Sequence, residues 1–148
     1  MKTFAGYINL KPINGVIFPS YAQNQINKEF IVNKLKGQFF LATNENTYGS
    51  NNIVLVSLLK EKSIKGVVII SVFSLPDNFQ DRKNIYNICL KNKKEIHFIF
   101  EELILKKKKD IEKIEDSFIF NNEFFTKKKS SITKLEKQIF TDPGWTLV

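Results

Sequence analysis

Three carboxylates in this chain stand where they could do chemistry. Glu45 sits between two amides in Asn44-Glu45-Asn46, and Glu101 and Glu102 follow the apolar run Ile96-His-Phe-Ile-Phe100. Two carboxylates can divide acid and base duties when their surroundings separate their pKa values. The amides Gln23, Asn24, Asn44 and Asn46 donate and accept, so with the carboxylates they suit a polyhydroxyl or other polar small ligand. Catalytic roles are therefore expected of Glu101, Glu102 and Glu45, and binding roles of the amides. No metal site is expected, because the chain has one His97 and one Cys89. His97 lies inside a strand and reads as buried and hydrogen-bonded. Cys89 reads as core, since reactive thiols need an electropositive, partly exposed setting. No Gly-rich dinucleotide loop, Walker A sequence, Cys pair or Gly-x-Ser-x-Gly elbow is present, so no cofactor is expected.

The elements that must position these groups alternate. Thr3 to Leu10 reads as a strand, and Lys11 to Pro19 as a loop. Ser20 is expected to cap a helix running to about Lys36, with Ile26, Phe30, Ile31 and Leu35 at helical spacing and Gly37 as its stop. Gln38 to Ala42 is a short strand, and Asn51 to about Lys62 a second helix. Gly66 to Val72 is β-branched and apolar on both faces, as a central parallel strand requires. A third helix follows Leu75-Pro76-Asp77 and runs to about Asn92. Ile96 to Phe100 is a fourth strand, and Asp110 to about Phe120 a fourth helix. This alternation predicts a doubly wound α/β domain with a mainly parallel sheet of four or five strands and helices on both faces, flavodoxin-like or resolvase-like. Strands 1 and 3 should be central and strand 2 at an edge. Ligands of such sheets bind beyond the carboxyl ends of the strands. That rule nominates Asn9, Lys11, Gln23, Asn24, Asn44 to Asn46, Tyr48, Ser74, Asp77, Glu101 and Glu102. The domain is expected over residues 1–122. Residues 123–148 form an aromatic tail with Phe124, Phe125 and Trp145, expected to pack on the domain or to cross to another subunit as a homo-oligomer contact.

The net charge of +8 comes from 22 Lys and a single Arg, Arg82, against 15 acids. Reading bases or gripping phosphates favours Arg, whose planar fork makes paired hydrogen bonds. The basic runs Lys106–Lys109 and Lys127–Lys129 are weak evidence for a polyanion, and acids at 110, 112, 115 and 116 lie beside the first. Nucleic acid is therefore not the expected partner. No run approaches 18 apolar residues and no signal-peptide stretch opens the chain, so a cytoplasmic protein is expected.

Gly6-Tyr7 in the first strand and Ser20-Tyr21-Ala22-Gln23 after it resemble the opening of serine recombinase catalytic domains. That resemblance implies a resolvase-like fold. It does not carry the activity: Asn9 stands where an Arg is expected, and Ser74 and Asp77 stand where guanidinium groups would be. One Arg cannot build that family's phosphate clamp. A second resemblance covers residues 4–120. Gly6-Tyr7, Pro19 to Asn24, Asn44-Glu45-Asn46, Leu75-Pro76, Arg82 with Ile85-Tyr86, and His97 with Glu101-Glu102-Leu103 resemble the sporadic carbohydrate cluster protein family. That family usually has Asp where Glu102 stands. The resemblance implies a role in making lipopolysaccharide, O-antigen or a similar bacterial surface glycan, and adds Ser20 and Arg82 to the expected binding residues.

The leading expectation is a small enzyme acting on a sugar or nucleotide-sugar through the carboxylate–amide crevice. The alternatives are a non-catalytic binding or scaffold protein among glycan enzymes and, third, a recombinase-like nucleic-acid binder without catalysis.

Overall fold

A computed structural model describes residues 1–45 and 52–121. Five strands form one sheet: β1 (Thr3–Gly6), β2 (Gln38–Leu41), β3 (Gly66–Ile69), β4 (Glu95–Phe98) and β5 (Leu103–Leu105). Their spatial order is β2-β1-β3-β4-β5. The first four run parallel, with Phe4 opposite Phe39 and Gly66, and Val68 opposite His97. β5 folds back antiparallel on β4, pairing Phe98 with Leu103. The fold is thus the expected α/β sheet, with strands 1 and 3 inside and strand 2 at an edge. All four residues of β3 and of β4 are buried, which requires cover on both faces of the sheet.

Three helices connect the parallel strands: α1 (Ser20–Glu29), α2 (Ile53–Lys60) and α3 (Phe79–Lys91). α1 does not extend to Lys36. It passes into a π-helical turn, Phe30–Lys34, and the chain stops there when Lys36 takes a left-handed φ of 54°. Gly37 is not the left-handed stop residue. It is needed because a Cβ there would lie 2.8 Å from the Lys2 carbonyl oxygen. Ser20 is not the cap either: Pro19 holds that position, and no side chain caps the helix. The face of α1 turned inward also differs from the apolar stripe expected. Gln23 and Asn27 are its buried residues, because α1 lies where β1 has ended and unpaired carbonyls need donors. Of the expected stripe, Ile31 is buried, in a cluster with Phe4 and Val68 against Phe30, Leu35, Phe39 and Ile99. α2 buries Leu55, Leu58 and Leu59, each contributing about 1.5–3 kcal/mol.

The chain divides into two compact units, Met1–Ile114 and Glu115–Val148. The first holds the whole sheet. Of the second, residues 115–121 are described and are helical. Asn46, Tyr48 and the tail with Phe124, Phe125 and Trp145 lie outside the described residues. No helix among the described residues is long and apolar enough to cross a membrane.

Candidate functional site

The carboxyl ends of β1 and β3 carry a connected polar shell. Tyr7 follows β1 and is fully buried; its hydroxyl donates to Glu45 Oε2 at 2.8 Å. Asn52 Oδ1 lies 3.2 Å from the same hydroxyl, which accepts from Asn9 Nδ2 at 3.4 Å. Asn9 Nδ2 also reaches the Ser74 carbonyl at 3.3 Å, tying the end of β1 to the turn after β3. Burial first, and then the Glu45 carboxylate, hold the Tyr7 hydroxyl well above its ordinary pKa. Tyr7 is therefore a neutral donor.

Glu45 is buried, and its oxygens accept from the backbone N–H groups of Val54 (3.1 Å) and Leu55 (3.3 Å). It satisfies the first turn of α2, where a negative charge is favoured. Asn52 precedes that helix in a left-handed conformation with no side-chain cap of its own, so the carboxylate comes from Glu45 instead.

Glu101 does parallel work after β3. It accepts from Ser71 Oγ at 2.6 Å and from the Val72 N–H at 2.8 Å. These contacts hold the short 3-10 turn Val72–Ser74. The reading of Ile96 to Phe100 as one strand, ended by two carboxylates, needs correction. β4 stops at Phe98, and Glu101 and Glu102 lie in the turn to β5. Glu102 is exposed there with φ 55°, so it does not reach the shell through the strand end.

The expected binding residues divide in the same way. Gln23 is buried and fully engaged: its Nε2 donates to the carbonyls of Asn9 (2.8 Å) and Phe18 (2.7 Å), and its Oε1 accepts from the Asn9 N–H (3.3 Å). Arg82 is buried, and its guanidinium donates to the carbonyls of Pro76 (3.1 Å) and Asp77 (2.7 Å). The one Arg therefore braces the β3–α3 loop. Ser20, at the start of α1, and Asn44, after β2, face each other, with Asn44 Nδ2 donating to Ser20 Oγ at 2.8 Å. Lys11 Nζ bonds the Leu75 carbonyl and Asp77 Oδ1, at 2.5 and 2.7 Å. Two polar atoms in these elements are buried with no hydrogen-bond partner among the described residues: Asn24 Oδ1 and Ser74 Oγ. Asn27 Oδ1 is a third, while its Nδ2 serves the Tyr7 carbonyl.

Sequence reasoning passed over Ser71, Asn27 and Asn52, and gave Tyr7 weight only through a resemblance. A signal existed for Ser71. It ends a wholly apolar run, so its hydroxyl had to find a partner inside the protein. Cys89 is buried as expected, and burial, then the Glu95 charge, push its thiol up to about 12. Among the described residues no cluster of His, Cys, Asp and Glu could hold a metal ion.

The fold has a structural counterpart. The N-terminal catalytic domain of TP901-1 integrase, a serine recombinase, superposes with a TM-score of 0.61 at 14% identity, over 85% of this chain and 98% of that one. The fold is resolvase-like. At that identity the likeness speaks for the architecture alone. Within the resolvase-like fold, the end of β1 carries Asn9, and the turn after β3 carries Ser74 and Asp77. No protein-family model matches the chain, and no curated protein matches its sequence. The carbohydrate-cluster resemblance thus rests on the quoted residues.

Proposed function

We propose that this chain serves bacterial surface-carbohydrate biosynthesis by holding a sugar or nucleotide-sugar at the carboxyl ends of β1 and β3. The observation that supports this is two buried polar atoms with no partner among the described residues: Ser74 Oγ, in the turn whose carbonyl Asn9 bonds, and Asn24 Oδ1, on the helix that opens with Ser20. Buried polar atoms without partners are rare and costly, and a hydroxyl-rich ligand supplies the missing donors. In this reading Glu45 and Glu101 are positioning residues. Their oxygens already accept backbone N–H and hydroxyl hydrogens, so the leading expectation of acid–base work moves from them to a binding role for the shell. A host lacking the gene should lose or shorten its surface glycan, and Ser74→Ala with Asn24→Leu should fail to restore it. UDP-glucose and other nucleotide-sugars should raise the melting temperature of the wild-type chain and not that of the double variant. Full restoration of the glycan by a folded double variant would refute the site.

The recombinase-like shape favours a second reading, a nucleic-acid binder without catalysis. It requires strongly salt-dependent retardation of duplex DNA. No retardation at low salt would remove it.

A further inference from the structure

One face of the sheet carries an acid–imidazole pair that the strand-end shell does not use. Glu95 and His97 are two residues apart on β4, so their side chains share a face. Both are buried, and His97 Nε2 lies 3.0 Å from Glu95 Oε1. The other carboxylate oxygen has Lys106 Nζ at 3.8 Å. The contact engages Nε2 and leaves Nδ1 as the other polar atom of the ring. Nδ1 makes no hydrogen bond to any described residue. The ring is held in place by Phe4, edge-on at 5.6 Å, and by Phe30 at 5.9 Å.

His97 lines a cavity of about 110 Å³ whose other walls are mainly apolar, among them Phe30, Leu35, Ile99 and Leu103. Two charged residues that line it, Lys34 and Glu102, are exposed. Both come from irregular backbone. Lys34 ends the π-helical turn, and Glu102 holds a left-handed φ of 55° without being glycine. Such a φ costs on the order of 1–3 kcal/mol, and π-turns recur at functional sites. Gly66 belongs to the same construction. It lies opposite Glu95, where a Cβ would come within 2.8 Å of Glu95 Cγ. The missing side chain leaves room for the acid that orients the imidazole.

We propose that this cavity is a second small-molecule site, distinct from the strand-end crevice. Its ligand class is a single apolar ring carrying one hydroxyl, hydrogen-bonded to His97 Nδ1. Size and polarity both select it. At about 110 Å³ it is smaller than the roughly 150 Å³ cavity that takes benzene, so it accepts one small ring at most, with an edge toward solvent beside half-exposed Ile104. The apolar walls exclude a sugar, and a hydroxyl matches Nδ1 whether as donor or as acceptor.

Phenol is the probe and toluene the control of equal shape without a donor. His97 is the only histidine in the chain, so its ring resonances need no assignment by mutation. Phenol titrated into the full chain should shift those resonances saturably and bind about tenfold more tightly than toluene, the loss of one buried hydrogen bond. His97→Phe should abolish that preference. Ile104→Trp, at a half-exposed lining position, should block both probes while the fold persists. Equal affinity for phenol and toluene, no shift up to the solubility of phenol, or an unchanged shift in Ile104→Trp would each overturn the proposal.

Discussion

Replacing Glu45 by Gln tests whether this carboxylate builds the protein or works on a ligand. The side chain keeps its shape but loses its charge. Glu45 accepts from the Tyr7 hydroxyl at 2.8 Å and from the N–H groups of Val54 and Leu55 at 3.1 and 3.3 Å. A bond to a buried charged acceptor nets about 1.5–3 kcal/mol. The favourable charge at the start of α2 adds about 0.3–1 kcal/mol. Gln also brings an NH₂ group toward donors. Glu45→Gln should therefore destabilise the fold by roughly 2–4 kcal/mol. Tyr7→Phe keeps the ring and removes the hydroxyl, and should cost about 1.5–3 kcal/mol. The two share one bond, so the double variant should lose about 1–2 kcal/mol less than the sum. Urea unfolding of the four proteins measures this, with the m-value as the check that the denatured state is unchanged. Additivity within about 0.5 kcal/mol would refute the coupling. A Glu45→Gln variant as stable as wild type would refute the structural role itself and return Glu45 to the list of candidate acids.

Alkaline stability carries the same bond. The Tyr7 pKa is raised in the folded chain, by burial first and then by Glu45, above the 10.0 of the free side chain. The folded state therefore keeps a proton that the unfolded state releases. The resulting stability is fully present below pH 10 and falls as pH rises above it; urea midpoints at pH 9 and 11 should separate more for wild type than for Tyr7→Phe. Cys89, with its thiol near 12, should resist iodoacetamide at pH 8 in the native protein and react fully in urea. Gly66→Ala should destabilise by about 3 kcal/mol or more, because the new Cβ meets the backbone carbonyl of Glu95 on the neighbouring strand. Arg82→Lys should lose about 1–3 kcal/mol, since an ammonium cannot span the Pro76 and Asp77 carbonyls as the guanidinium does; thermal melts would show it.

Strand order was legible because hydrophobic runs state their own burial. Val67 to Ile70 is apolar on both faces and is central. Gln38 to Leu41 is mixed and lies at the edge. β5 was harder to see: Leu103 to Leu105 is three residues, too short for a period to show. The same brevity hid the turn that contains Glu101 and Glu102. The site divided along another line. That polar residues gather at strand ends follows from topology, and Gln23, Asn44, Glu45 and Glu101 are found there. Whether each group faces a ligand or a neighbouring backbone depends on a few ångströms of loop geometry. The Glu95–His97 pair was open to period-two reasoning, since residues i and i+2 of a strand share a face. Reading His97 alone, as one buried ring, left its partner out.

The inward turn of Arg82 has a consequence for the exterior. With the only guanidinium committed to two loop carbonyls, every basic side chain left to face solvent is a primary amine. The positive face is therefore chemically uniform. Acylation can discharge it residue by residue, while reductive methylation preserves its charge and alters only its shape and hydration. A chain built this way exposes to lysine-directed chemistry everything that attracts an anion to its surface, and keeps the one group beyond that chemistry inside.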